Sequence, residues 1–409
     1  MRPNARRRFD RASLLAMFCA LVLAACGGGS KAASNIGANS APFARVRVVA
    51  GDKFSLYLAA ADRVLAWGDN VSGELGTAST MHSATPIAVR GLPSDVVAIA
   101  AGSNHGLAVT ARGTVFAWGH NKSGQLGDGS RTDRTTPAEI AGLQNVRAIA
   151  AGFGFSMALE ADGTVLAWGN NQSGQLGDGN APEDHDRPAP VHGLRAGSGV
   201  VEIAAGSSFA LVRKADGSVW AWGNGTSGQV GDGTKGKQSA PTQVRGLGPG
   251  SQVVGISAGG AHALAVKADG SVVAWGHNAS GQLGDGTIAD RATPVVVRGL
   301  DAIVAVSAGF SFSVAVDKNG AVFAWGNNKS GEAGDGTAPK DHHVPVHIAT
   351  FGGAVRIDAV AAGGSHVVAV AHDGTLWAWG NNSSGQVGNG QAPADAHLPV
   401  RVAINGASA

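Results

Sequence analysis

Three histidines, His105, His262 and His366, stand at one equivalent position, three residues after an Ala-Gly pair. Imidazole is the commonest metal ligand, so three equivalent histidines raise the question of a shared ion. Zinc needs its nitrogen ligands converging at about 2.0–2.1 Å. These histidines are separated by whole repeats and alternate with Phe54, Phe155, Phe209 and Phe312 at the same position. Phenyl rings in the same slot predict a structural place at the start of a strand, and no metal site. The aspartates of a Gly-Asp-Gly run (Asp128, Asp178, Asp232, Asp285, Asp335) could suggest calcium, but they lack the alternating acidic density of an EF-hand loop. Thr77 and Asn389 replace them in two repeats, and Asp, Asn and Thr share the ability to bond nearby backbone in turns.

Other chemistry fails on spacing. Gly231-Asp232-Gly233-Thr234-Lys235-Gly236-Lys237 has the length of a phosphate loop, yet Gln238 stands where the magnesium-binding hydroxyl belongs, with no strand-to-helix context. There is no Gly-x-Ser-x-Gly elbow, and both cysteines, Cys19 and Cys26, fall in the first 26 residues. Asn70, Asn121, Asn171, Asn224, Asn278, Asn328 and Asn382 each head an Asn-x-Ser/Thr triplet. Their recurrence at one turn predicts turn formers, not glycan acceptors. No catalytic residue and no cofactor is implied.

The frame that must position these residues is a seven-fold repeat. Ala-Trp-Gly occurs with its tryptophan at Trp67, Trp118, Trp168, Trp222, Trp275, Trp325 and Trp379, and an Ala-Gly pair ends sixteen residues earlier at Gly51, Gly102, Gly152, Gly206, Gly259, Gly309 and Gly363. That interval is fixed while the Trp-to-Trp spacing varies from 50 to 54 residues, the mark of a repeated unit with insertions in its loops. In the second unit, Val96–Gly102 and His105–Val109 are apolar runs, Arg112-Gly113 is a hairpin turn, and Thr114–Trp118 is a third run. Most other units carry Asp-Gly or Asn-Gly at that turn, which favours tight hairpins. A fourth run spans Pro137–Leu143. Four short antiparallel strands per unit predict an all-β fold, a seven-bladed β-propeller of four-stranded antiparallel blades. The small Ala-Ala-Gly run fits the crowded axis, and the tryptophan the wedge between blades. The first strand is expected at Arg45–Val49 and the last at Leu398–Ile404, with the two ends meeting to close the ring.

The succession Ala-Ala-Gly, His or Phe, Asp-Gly, Ala-Trp-Gly and Ser-Gly-Gln-Leu-Gly-Asp-Gly resembles the regulator of chromosome condensation repeat over about residues 45–404. The resemblance implies a seven-bladed propeller. It does not carry function with it, because one fold hosts many sites. The family's founding member works on chromatin and on a small GTPase, whereas secreted bacterial propellers of this repeat type bind and inhibit β-lactamases.

The setting is read from the N-terminus. Arg2, Arg6, Arg7, Arg8 and Arg11 precede a short apolar run, Leu14–Leu23, too brief to span a bilayer of about 30 Å but suited to a signal segment. Leu23-Ala24-Ala25-Cys26 resembles a bacterial lipobox. It implies a signal peptide 1–25, lipidation of Cys26, a flexible tether 26–44 and a propeller 45–409. Gly27 after the cysteine favours the outer membrane. Removing residues 1–25 takes away five arginines and Asp10, so the formal charge changes from +2 to −2. That leaves no basic footprint for nucleic acid.

The units differ at the residue after each Ala-Gly. Five carry Asp52, Ser103, Ser207, Gly260 and Gly364, while units 3 and 6 carry Phe153 and Phe310. Aromatic residues where the repeat is small are candidate partner contacts. Units 3, 6 and 7 share an Ala-Pro-x-Asp loop, and His185, His342 and His343 give two of these loops a pH-sensitive charge. The expected function is a non-catalytic protein-binding scaffold of the bacterial envelope. Its expected partner is an envelope or extracellular protein, met through Phe153, Phe310, His185 and His342. The alternative is a secreted enzyme inhibitor resembling the β-lactamase-inhibiting propellers, or a glycan-binding or glycan-processing module; guanine-nucleotide exchange is disfavoured by export and by the near-neutral mature charge.

Overall fold

The computed structural model describes residues 47–59, 63–143, 145–349, 351, 355–402 and 404. The signal segment 1–25, the tether 26–44 and Cys26 lie outside these residues. The described chain forms seven antiparallel sheets of four strands each, and every sheet takes its strands consecutively from one repeat. In blade 2 the strands are Val96–Ala101, His105–Thr110, Val115–Gly119 and Arg134–Glu139, from the axis outward. Gly113 turns the central hairpin at φ +80°, a conformation glycine adopts without steric penalty.

Two boundaries differ from expectation. The outer strand of blade 2 begins three residues before Pro137 instead of at it. Every outer strand carries a proline at its fourth residue: Pro86, Pro137, Pro188, Pro241, Pro294, Pro345 and Pro399. Proline lacks a ladder donor and is tolerated on an edge strand, where it also discourages pairing with another sheet. The terminal strands are Val48–Ala50 and Ala396–Arg401. They share no blade: the first strand is the innermost of blade 1 and the last is the outermost of blade 7. The ring closes because the inner strand of blade 1 packs against the inner and second strands of blade 7.

What holds blade to blade is one contact made seven times. Each Ala-Trp-Gly tryptophan is at most 1 % exposed, and its indole N–H donates to a backbone carbonyl on the turn of the preceding blade. Trp118 reaches Glu74 O at 2.8 Å, Trp168 reaches Gln125 O at 2.9 Å and Trp222 reaches Gln175 O at 2.9 Å. Trp275, Trp325 and Trp379 repeat this on Gln229, Gln282 and Glu332. Trp67 bonds Gln386 O at 2.9 Å and makes the closing seam chemically like the others. A buried carbonyl left unpaired would be destabilising by about 1–3 kcal/mol, so each indole both fills the wedge and satisfies a polar group.

Three seams carry a second device, which explains the alternating histidines. His105 Nε2 lies 2.9 Å from Ser156 Oγ, and that hydroxyl donates at 2.8 Å to Gln125 O, the carbonyl that also takes Trp168. His262–Ser313 and His366–Ser55 repeat the arrangement at 2.9 and 2.8 Å. Since the serine proton goes to the carbonyl, the imidazole must be the Nε2–H tautomer. Its Nδ1 is buried without a partner. A second proton would sit there unpaired, and burial lowers each of these three histidines to about 3. Where the slot holds Phe54, Phe155, Phe209 or Phe312, the next blade presents Gly106, Ala210, Ala263 or Val367 instead of serine.

These histidines stay neutral in the folded ring and protonate near 6.5 when unfolded, so they stabilise the fold above pH 6.5 and lose that effect as pH falls toward 3. Replacing one pair by its apolar counterpart, His105→Phe with Ser156→Ala, should flatten the stability–pH slope between pH 6 and 4 by about 1.4 kcal/mol per pH unit. Ser156→Ala alone should destabilise by about 1–3 kcal/mol, because it strands the imidazole N–H. Denaturant titrations across that range measure both; an unchanged slope in the double variant would show that His105 already titrates in the folded state.

Candidate binding face

The turn after each inner strand and the loop after each third strand lie on one face, since Gly119 pairs with both His105 and Arg134. At the axis of that face the seven Ala-Gly turns converge. Their amides bond from blade to blade: Asp52 N to Ser103 O, Ser103 N to Gly152 O, Ser207 N to Gly259 O, Gly260 N to Gly309 O, Phe310 N to Gly363 O, and Gly364 N to Gly51 O, at 3.0–3.2 Å. The glycines are required by this crowding. A Cβ on Gly259 would lie 2.3 Å from Gly309 O, and one on Gly363 2.4 Å from Gly51 O, well inside contact distance.

These turns form an open depression of about 120 Å³ lined by the seven Ala-Gly pairs and the residue that follows each. Phe153 and Phe310 stand in its rim, 57 % and 55 % exposed. Bulk at this position leans over the preceding blade, where glycine leaves room. A Cβ on Gly260 would lie 3.0 Å from the Phe310 ring, and a Cβ on Gly364 2.1 Å from Asp52 Oδ1. Asp52 is the one ionisable residue of the seven. Burial pushes its carboxyl above the usual range, with Lys53 opposing and Asp69 reinforcing the shift. A second, polar cavity of about 180 Å³ opens where blades 7 and 1 meet, lined by Asp52, Lys53, Ser365, Asn381, Ser383 and Gln386.

The outer part of the face is built on the asparagine turns. Asn121 is fully buried; its Oδ1 accepts the Leu126 amide at 2.9 Å and its Nδ2 donates to Ser130 O and Thr132 O at 3.1 Å. Asp133 Oδ1 receives the Asn121 amide at 2.9 Å. The aspartates of the Ala-Pro-x-Asp loops do the same work, Asp184 for Asn171, Asp341 for Asn328 and Asp395 for Asn382. Asn224 does not belong to this set. It stands one residue early, and Gly225 fills the buried position because the Gly236 carbonyl closes directly over it.

His185 and His342 are not at the mouth. Each begins an outer strand, His185 Nε2 lying 3.2 Å from Asp178 Oδ2 and His342 Nε2 2.9 Å from Asp335 Oδ2. Arg134 and Arg291 hold Asp128 and Asp285 at the corresponding place. The Gly-Asp-Gly carboxylates turn their other oxygen to the amide two residues on, as Asp285 Oδ1 does to Thr287. His343 is exposed and lies over Gly281 of blade 5. The structure therefore brings Phe153 and Phe310 to one mouth and leaves His185 and His342 on the periphery of the same face.

Two acidic residues escape the repeat logic. Glu74 and Glu332 occupy turn positions where Gln125, Gln175, Gln229, Gln282 and Gln386 stand elsewhere. Burial raises both, and Glu332, near Asp341 and Asp395, is pushed up to about 7.

A ring of four-stranded blades with a rigid, loop-built mouth defines the class: a seven-bladed propeller that presents loops on a fixed frame. The chain belongs to the RCC1-like domain family, whose description matches residues 26–265, and Regulator of chromosome condensation (RCC1) repeats match 269–316, 319–370 and 373–408. It is 30% identical over 367 residues to the ultraviolet-B receptor UVR8 of Arabidopsis thaliana, covering 89% of this chain and 71% of that one. It is 32% identical over 260 residues to the E3 ubiquitin-protein ligase HERC2 of Homo sapiens, covering 63% of this chain and only 5% of the ligase. Among solved structures, the yeast RCC1 (Prp20) bound to Kap60 superposes with a TM-score of 0.75 at 23% identity, over 94% of this chain and 92% of that one. A second structure of Prp20p, from Saccharomyces cerevisiae, whose title names its binding to Gsp1p and histones, gives 0.74 at 26%, over 86% and 88%.

The buried carboxyl of Glu332 yields a test with a defined sign. Its folded value lies above the unfolded one, so its contribution is present below about pH 4.5 and lost as pH rises through 7. Glu332→Gln should stabilise the ring by on the order of 2–3 kcal/mol at pH 8 and little at pH 4.5. Denaturant titrations at the two pH values measure the difference; an equal gain at both would show that the carboxyl does not titrate in this range.

Proposed function

We propose that this chain is a non-catalytic protein-binding scaffold of the bacterial cell envelope, exported and held at the outer membrane by lipid on Cys26. Its partner is another envelope or extracellular protein, received on the mouth face. The observation that carries this reading is the pair Phe153 and Phe310, large apolar rings more than half exposed on a frame whose other described phenylalanines and tryptophans are buried or half-buried. Exposed aromatic side chains on a rigid support make strong binding anchors, because little freedom is lost when they are covered. His185 and His342, already engaged with Asp178 and Asp335, stand at the outer rim of that footprint.

The family supports the frame more than the partner. Prp20p, described by its binding to Gsp1p and histones, is a ring of this kind that serves as a binding body, and the Leu-Ala-Ala-Cys segment supports an envelope partner here. The similarity to a ubiquitin ligase covers a small fraction of that protein, and no ligase activity is proposed.

In-cell crosslinking of the tagged chain followed by mass spectrometry should capture a specific envelope protein with the wild type and lose it with Phe153→Ser/Phe310→Ser. Capture that survives in the double variant would move the site off the mouth, and no enriched protein at all would sink the scaffold reading. Radiolabelled palmitate should enter the wild type and not Cys26→Ala; equal labelling would remove the lipid anchor.

A further inference from the structure

We infer that the mouth receives a cationic side chain, an arginine presented on a loop of the partner protein, seated between Phe153 and Phe310 with its guanidinium toward Asp52. This deepens the scaffold reading and rests on it. The seven rim positions hold one carboxylate, two phenylalanines, two serines and two glycines. Asp52 is on blade 1, Phe153 on blade 3 and Phe310 on blade 6. In a seven-membered ring each aromatic is thus two blades from the carboxylate, one on either side.

That composition selects by charge. An anion meets no basic group among the seven, since Lys53 lines the neighbouring seam cavity and not this one. A purely apolar plug would desolvate Asp52 further with only the Lys53 charge at the neighbouring seam to offset it, and burying a carboxylate without a close partner is disfavoured. A cation is attracted by the carboxylate and by the faces of both rings. Arginine suits the site better than lysine because its planar guanidinium stacks on aromatic faces and still directs N–H groups at a carboxylate. At about 120 Å³ the depression takes the head of a side chain, not a helix about 10–12 Å across. The glycines beside Phe310 and Asp52, Gly260 and Gly364, leave the space that these two side chains occupy.

The test uses the full chain carrying Cys26→Ala and a cyclic hexapeptide whose only charged residue is arginine, with a citrulline twin that keeps shape and removes charge. Saturation-transfer NMR should mark the arginine methylenes. The citrulline twin should bind about tenfold more weakly, and so should the arginine peptide to Asp52→Asn and to Phe153→Ser/Phe310→Ser. Thermal unfolding confirms that the variants remain folded, as expected for substitutions on the rim. No transfer at millimolar peptide, an equal response from citrulline, or full binding by the rim variants would each overturn the inference. Ethylguanidinium binding as tightly as the peptide would overturn the protein source and leave a small-cation site. If the peptide fails while crosslinked capture still depends on Phe153 and Phe310, the scaffold reading stands and only the chemistry of its mouth is lost.

Discussion

The indole N–H of one blade bonded to the turn carbonyl of the blade before it is the interaction on which this ring depends. A flat sheet has two faces to cover, and a propeller covers both by stacking sheets radially. The gap between two blades widens away from the axis, so the filler must be largest at mid-radius, and tryptophan meets that demand with a donor at its edge. The turn it reaches is the Ser-Gly-Gln or Ser-Gly-Glu segment, whose shape is set by a buried asparagine in six blades and by Gly225 with the Gly236 carbonyl in the seventh. Turn and tryptophan are therefore one unit split across two repeats. This is why no repeat is complete alone, and why closure succeeds without an exchanged strand: Trp67 finds on Gln386 what Trp118 finds on Glu74.

The axis imposes the opposite demand. Seven inner strands converging on one line leave no space for a Cβ, so the Ala-Gly turns touch through backbone and bond amide to carbonyl across blades. Such a ring has little freedom. At the axis, variation falls on the following residue, and where one blade carries Phe310 or Asp52 the preceding blade carries Gly260 or Gly364 to make room. The frame fixes seven positions; their chemistry is what this protein varies.

Much of this was legible in the sequence, because the constraints that build blades act on residue type at fixed spacing. Gly102 to Trp118 is one turn and one hairpin, the second and third strands of its blade, and its length cannot vary without breaking register. What was illegible depended on neighbours far along the chain. Pro137 reads locally as the start of a strand, yet it sits inside one because that strand is an edge. Asn224 satisfies the same triplet as its six counterparts, but a glycine one residue later takes the structural place. Asp52 was grouped with small residues by position, when its charge set it apart. The histidines posed the reverse difficulty: their partner is a serine 51 residues onward, visible only when each repeat is compared with the next.

That comparison shows how one scaffold can tell its seams apart. Histidine on one blade requires serine on the next, and phenylalanine requires a residue without a hydroxyl. A blade moved to another position would bring an imidazole N–H against a residue without a hydroxyl and leave a buried donor unpaired. Polar seams fall at blades 2/3, 5/6 and 7/1, so the joint between the chain's two ends is among the three that are marked. The cost of that marking is paid at low pH, where buried imidazoles resist protonation. Proteins named as an ultraviolet-B receptor and a ubiquitin-protein ligase share this repeat, so the frame by itself does not fix function. In this chain the unconstrained ring is the mouth, where two phenylalanines and one aspartate interrupt serine and glycine.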